Sequence, residues 1–145
     1  MTTSLAGIEG LKGKLAIVTG ASGAIGSAIV KYLADDGLDI ALLDLDQDKL
    51  DAAAAALSQS AGVNARGYHC DVSSKASCSA VCSRIKDDFG RGADVLVNVA
   101  GILSNNKLLQ CSEEEWRRLH AVNLDSAFFL SQEVVRFCAS RTVFS

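Results

Sequence analysis

The stretch Thr19-Gly20-Ala21-Ser22-Gly23-Ala24-Ile25-Gly26 restricts this chain more than any other. It joins the apolar run Leu15-Ala16-Ile17-Val18 to a helical pattern that begins near Ile25. A buried strand that ends in small residues and turns directly into a helix gathers unpaired backbone N–H groups, and the positive end of the helix dipole, at one place. That place suits a pyrophosphate.

Strand and helix signals alternate from Lys14 onward, the pattern of an α/β fold with a parallel sheet. Leu15 to Thr19 reads as the first strand and Ala24 to Asp36 as the helix after it, with Ile25, Ile29 and Leu33 on its apolar face and Gly37 as its stop. Leu38 to Leu43 is apolar except for Asp39, as expected of a strand covered by helices on both faces. A helix follows from Asp46 to about Ser60, then a weaker strand from Ala65 to Cys70 and a helix from Lys75 to Phe89. Asp94 to Val99 reads as the fourth strand and the clearest in the chain. The last long signal, Ser112 to Cys138, predicts one helix. Ser112 is its N-cap, Glu115 completes a capping box, and Trp116, Leu119, Val122, Phe129, Val134 and Phe137 form a buried face.

The chain has 145 residues, enough for one domain with a sizeable core. We expect an N-terminal extension over 1–12 and a single domain over 13–145. No apolar run approaches the roughly eighteen residues of a membrane span, and the formal charge of −3 leaves no electrostatic footprint for nucleic acid or an anionic membrane. Met1 to Lys14 lacks the apolar centre of a secretion signal, and Thr2 stands where myristoylation needs glycine, so a cytoplasmic location is expected. The five cysteines, Cys70, Cys78, Cys82, Cys111 and Cys138, contain no C-x-x-C pair and read as a reduced set, with Cys82 and Cys138 in the core and no metal site.

Asp44 closes the second strand, eighteen residues after Gly26, with Leu45 beside it. An acidic residue near that spacing accepts hydrogen bonds from the adenosine ribose hydroxyls of a dinucleotide. It would also place like charges together if the ribose carried a 2′-phosphate, so NAD is expected rather than NADP. Neither the turn nor the position directly after Asp44 holds an arginine or lysine, and Asp46 adds negative charge.

These residues carry a resemblance to the short-chain dehydrogenase/reductase family. Thr19 to Gly26 resembles its T-G-x-x-x-G-x-G turn, Asn98-Val99-Ala100-Gly101 its N-N-A-G motif after the fourth strand, Asp71-Val72 its adenine-contacting pair, and Asn123 its helix asparagine. The resemblance covers about Gly13 to Cys138. It implies an incomplete three-layer, doubly wound Rossmann sheet in the order 3-2-1-4. It also implies Gly20, Ser22, Gly23, Ile25 and Gly26 along the pyrophosphate and ribose, Asp44 and Leu45 at the adenosine ribose, Asp71 and Val72 at the adenine, and Asn98, Ala100 and Gly101 on the cofactor floor. Two positions depart from the pattern: Val99 replaces the second asparagine, and Ala24 replaces the second glycine, which is expected to weaken binding.

The family's reaction interconverts an alcohol and a ketone, and its proton moves through a tyrosine and a lysine in a Y-x-x-x-K pair on one helix face. Tyr32 is followed at that spacing by Asp36 and Tyr68 by Val72, so neither forms the pair. The chain ends where that family's fifth strand would begin, with Thr142-Val143-Phe144 as a fragment of it, and a C-terminally truncated domain whose exposed edge invites homo-oligomerisation is expected. Asn123 is the one catalytic position the resemblance assigns, as the holder of a water; a polar residue bonding across to the fourth-strand loop is the equal alternative. Glu113-Glu114-Glu115 reads as a solvated first helical turn. Two other functions stay open: a nucleotide-binding or subunit-pairing product without turnover, and a Rossmann methyltransferase, which shares the glycine-rich turn and the acid ending strand two.

Overall fold

A computed structural model describes residues 10–139. Residues 1–9 of the expected extension, the Cys138 side chain and Thr142-Val143-Phe144 fall outside the described residues. Four parallel strands, β1 (Leu15–Thr19), β2 (Asp39–Asp44), β3 (Ala65–His69) and β4 (Val95–Val97), lie in the order β3-β2-β1-β4. The expected order is therefore the observed one. Ile17 sits opposite Ala41 on one side and Leu96 on the other, so β1 is the centre of the sheet, and all of its residues are buried.

Because side chains alternate along a strand, β1 feeds two cores. Leu15 and Ile17 join Ala41, Leu43 and Tyr68 beneath α3 (Lys75–Phe89) and α5 (Ser126–Ala139), which contribute Cys78, Val81, Cys82, Ile85 and Leu130. Ala16 and Val18 join Ile40 and Leu42 beneath α1 (Ala24–Asp35) and α2 (Gln47–Ala61), which contribute Val30, Leu33, Leu50 and Leu57. Each fully buried leucine or isoleucine adds about 1.5–3 kcal/mol of apolar burial. Asp46 caps α2 by accepting from Lys49 N at 3.1 Å, and Ser74 caps α3 by accepting from Ser77 N at 3.3 Å.

The structure departs from the sequence pattern in four places. β4 is shorter than Asp94 to Val99 because side-chain oxygens take over the ladder at both ends. The Asp94 carboxylate accepts from Leu15 N at 3.0 Å, and Thr19 Oγ1 accepts from Val99 N and Ala100 N, each at 3.0 Å. The predicted last helix is divided into α4 (Glu113–His120), a π-helical turn (Ala121–Asp125) and α5. The wider i→i+5 turn breaks the facial register between the two halves. Trp116, expected in the core, is consequently 56% exposed and stacks on His120 with ring centroids 4.1 Å apart, while Phe129, Val134 and Phe137 pack on the core. Ile25, expected on the inner face of α1, is 69% exposed. Ser112 does cap α4, accepting from Glu115 N at 3.1 Å, and Glu113 and Glu114 are exposed as expected, but the Glu115 carboxylate bonds the Ser104 hydroxyl and Asn106 Nδ2 instead of closing the capping box.

Candidate functional site

A cleft of about 450 Å³ opens beyond the carboxyl ends of the strands, where ligands of open α/β sheets bind. One wall is the turn from β1 to α1. Gly20 has φ +62, and a Cβ on it would stand 2.9 Å from Ala100 N, so only glycine lets this turn approach the loop after β4. Gly26 lets α1 close on the turn, since its Cβ would overlap the Gly20 carbonyl oxygen and lie 2.9 Å from Ala21 Cα. Gly23 is the N-cap of α1 and brings no capping side chain, and the first helical turn has no acidic residue. The N–H groups of that turn, which have no intrahelical acceptor, border the cleft together with Ala24 and the exposed Ile25.

The adjoining wall is the end of β2. Asp44 Oδ2 accepts from Ser22 N at 3.0 Å and from Ser22 Oγ at 2.6 Å, and Oδ1 accepts from Leu45 N at 2.8 Å. Partial burial pushes the Asp44 carboxyl up, but these three donors outweigh it and hold the group below its ordinary value. Asp44 is a fixed, ionised carboxylate on the cleft wall. Leu45 exposes its side chain beside it.

Asp71 and Val72 follow β3 on the same cleft. Asp71 turns its carboxylate into its own loop, accepting from Ser73 N at 3.0 Å and Ser73 Oγ at 2.6 Å, while Val72 presents a buried apolar edge. Cys70 lines the cleft next to them, and the neighbouring Cys78 thiol and Ser77 hydroxyl lower it against the opposing effect of burial. Cys78 moves up in return, and burial pushes Cys82 up to about 12. Among the described residues no cluster of His, Cys, Asp and Glu is arranged to hold a metal ion.

Ala100 and Gly101 form the floor. They are held by two side chains from different elements: Thr19, whose hydroxyl receives Val99 N and Ala100 N, and Asn123. Asn123 sits in the π-helical turn; its Oδ1 accepts from Ile102 N at 2.8 Å and its Nδ2 donates to Ile102 O at 2.9 Å. A Cβ on Gly101 would lie 3.4 Å from that Oδ1.

The sequence-derived residues therefore converge, with three exceptions. Asn123 is outside the lining and holds the floor from behind through Ile102. Ser22 stands behind Asp44 and is not part of the cleft lining. Asn98 is exposed and outside the lining, because strand alternation sends Val97 and Val99 toward α1 and α2 and Asn98 to the side of Leu96. Thr19, Cys70, Ile102 and Val122 were not singled out as site residues by the sequence. Only Thr19 carried a signal, as the polar residue ending an otherwise apolar strand, and it is 1% exposed. Tyr68 donates its hydroxyl to Asp88 Oδ2 at 2.9 Å, away from the cleft, and burial raises it well above its ordinary range. Tyr32 is exposed on α1 and also lies outside the lining.

Comparison with known proteins matches this architecture. A model of the short chain dehydrogenase family matches residues 14–142. The 3-oxoacyl-[acyl-carrier-protein] reductase of Vibrio cholerae is 41% identical over 126 residues, which is 87% of this chain and 50% of that protein. L-Sorbose reductase from Gluconobacter frateurii, solved with NADPH and L-sorbose, superposes with a TM-score of 0.86 at 33% identity, covering 91% of this chain and 50% of that one. NAD⁺-bound xylitol dehydrogenase superposes with a TM-score of 0.83 at 33% identity, covering 92% and 51%. The chain spans about half the length of the curated relatives it matches.

Proposed function

The chain belongs to the short-chain dehydrogenase family, and from that premise we propose that its cleft binds a nicotinamide dinucleotide, NAD(H) in preference to NADP(H), for an oxidoreductase that interconverts an alcohol and a ketone. Membership in this family sets aside the methyltransferase alternative. The observation that carries the cofactor reading is Asp44, an ionised carboxylate on the cleft wall fixed by Ser22 N and Ser22 Oγ of the Gly20–Gly26 turn and by Leu45 N. A 2′-phosphate there would meet a like charge. The nearest cation on α2, Lys49, is engaged by Asp46 at 2.9 Å. Relatives with either dinucleotide share the fold, so it is this local charge that supports NAD.

The dinucleotide, when bound, supplies the hydride acceptor or donor. The turn at Gly20, Gly23, Ile25 and Gly26 would lie along the pyrophosphate, with its N–H groups and helix terminus favouring negative charge. Asp44 and Leu45 would face the adenosine ribose, Asp71 and Val72 the adenine, and Ala100 and Gly101 the floor. Asn123 would fix the height of that floor through Ile102, which is a positioning role. The single domain over 13–145, with the preceding residues as an extension, belongs to the same reading. So does a cytoplasmic setting, supported by the free thiols of Cys70, Cys78, Cys82 and Cys111. No helix among the described residues is long and apolar enough to cross a membrane. Self-association through the outer faces of α4 and α5 is supported by the exposure of Trp116, Phe128 and Val135.

A tyrosine with a lysine four residues on does not occur within the 145 residues, so binding is the measurement that tests the proposal in this chain. Calorimetric titration with NADH, NADPH and S-adenosylmethionine should give a dissociation constant for NADH at least about tenfold below that for NADPH, a difference of about 1.4 kcal/mol. Absence of both heat and thermal shift with millimolar NADH would overturn it.

A further inference from the structure

We propose that Ser22 is a specificity-determining positioning residue, which reaches the dinucleotide through Asp44 and sets the discrimination between a ribose hydroxyl and a ribose phosphate. The inference deepens the NAD reading above and rests on it. Its starting point is the capacity of the carboxylate. An ionised carboxylate has about four lone-pair sites. Ser22 N and Ser22 Oγ take both sites on Oδ2, and Leu45 N takes one on Oδ1. One acceptor site remains, on the oxygen that Ser22 does not touch. Asp44 can thus receive a single further proton, as a ribose hydroxyl would offer. A fully ionised 2′-phosphate has no proton to give and brings its own charge.

The Ser22 bond also fixes where that charge stands. Ser22 lies in the β1–α1 turn, and Ala21 beside it donates its N–H to Leu43 O at 3.2 Å, so turn and β2 are joined by backbone at one point and by the carboxylate at the next. The Ser22 hydroxyl makes the shortest of the three contacts to Asp44, at 2.6 Å. Without it the carboxylate keeps one backbone donor on each oxygen, Ser22 N and Leu45 N, and loses the tightest of its three restraints against turning away from an incoming phosphate. The other charges facing it are Asp46, which repels, and Lys49, which is paired with Asp46. Neither would hold the carboxylate in Ser22's place. Loss of Ser22 would therefore weaken the preferred dinucleotide and lessen the rejection of the other one. Loss of a merely structural contact would weaken both alike.

The test uses the 145-residue chain with Ser22→Ala and Ser22→Thr, titrated calorimetrically with NADH and NADPH. The Asp44 carboxyl is followed in parallel by carbon-detected NMR against pH, without ligand. In Ser22→Ala, NADH affinity should fall about 3–10-fold, the range expected for one charge-assisted hydrogen bond at a partly exposed site. NADPH affinity should hold or rise, and Asp44 should titrate at higher pH. Ser22→Thr, which keeps the hydroxyl, should restore both readouts. Equal loss for the two dinucleotides, or an Asp44 titration unchanged from wild type, overturns the proposal. If Ser22→Ala melts below the assay temperature, Ser22→Cys, a near-isostere with a weak donor, is read the same way. A wild-type chain that prefers NADPH refutes the NAD reading, whereas an altered NADH-to-NADPH ratio in the variant still reports the role of Ser22.

Discussion

Gly26→Ala is the substitution for which the structure makes the sharpest quantitative claim. The added Cβ would overlap the Gly20 carbonyl oxygen, and would stand 2.8 Å from Gly20 C and 2.9 Å from Ala21 Cα. Carbon atoms pack at about 3.5–4.0 Å, and all three neighbours are backbone, so no side-chain rotation relieves the overlap. The first turn of α1 must instead move away from the turn by roughly 1 Å, which strains the Gly23 N to Gly20 O bond of 3.1 Å. Overpacking of this kind costs about 1–3 kcal/mol, and the weakened hydrogen bond about 1 kcal/mol more. Alanine's better helix propensity returns at most about 1 kcal/mol. The net loss is about 1–3 kcal/mol, or about 3–10 °C in Tm for a chain of this size.

Gly62→Ala supplies the comparison. Gly62 has φ +70 and nothing within 4 Å of an added Cβ, so it tests conformational cost without overlap. That cost is about 1–2 kcal/mol. Thermal melts by circular dichroism and urea midpoints on both variants decide the matter. A Gly26→Ala protein that melts within about 2 °C of wild type would refute the argument that steric closure of the helix on the turn demands glycine.

Three further outcomes follow from side chains that hold the cleft. Thr19→Val keeps the shape but leaves Val99 N and Ala100 N without their acceptor; at about 1–3 kcal/mol per unsatisfied buried group, moderated by partial exposure, a loss of about 2–3 kcal/mol is expected. Hydrogen exchange should accelerate at those two amides in particular, and unchanged protection would exclude the role. Asn123→Ala should cost only about 1 kcal/mol because water replaces both bonds to the exposed Ile102 backbone, whereas Asn123→Asp, which opposes an oxygen to Ile102 O, should cost more by urea denaturation; the reverse order would contradict the assigned geometry. The Asp44 carboxyl titrates below its ordinary value when folded, so its contribution is present above the unfolded value of about 4 and lost as pH falls through the lower folded value. Asp44→Asn should therefore flatten the acid limb of stability measured from pH 7 to pH 2, and an unaltered limb would show that another carboxyl controls it.

The elements most legible in the sequence are those whose ends carry their own chemistry. β1 and α3 match their expected limits because the first is an apolar run closed by a glycine turn, and the second is bounded by Ser74 and Gly90. β4 reads too long because an apolar run does not disclose that Asp94 and Thr19 side chains replace ladder bonds at its ends. The π-helical turn at Ala121–Asp125 has no compositional signature, and without it the facial pattern through Trp116 is extrapolated across a change of register. A motif assigns Asn98 a position but not a direction, and direction follows from the alternation that faces Val97 and Val99 the other way. Glu115 shows the same limit: its place in the first turn of α4 is legible, but its hold on Ser104 and Asn106 depends on a loop that folds back from β4.

Three side chains around the cleft have one property in common. Thr19, Ser22 and Asn123 border or support the cleft by bonding protein groups, and each joins two segments far apart in sequence. Thr19 ties the end of β1 to the loop after β4, Ser22 ties the phosphate-facing turn to β2, and Asn123 ties the π-helical turn to that same loop. The cleft walls are thus set by the protein's own hydrogen bonds, and a ligand need not order them. A preorganised cleft loses less conformational entropy on binding, so the expected consequence is affinity that responds to these positioning side chains even though none of them need touch the dinucleotide. Substitutions at the three sites should then lower affinity and speed amide exchange in the adjoining loop together, while substitutions at Ile25 or Leu45, which are exposed in the cleft, should lower affinity alone. If affinity fell at Thr19, Ser22 and Asn123 with no change in exchange, the walls would be shaped by the ligand rather than by the fold.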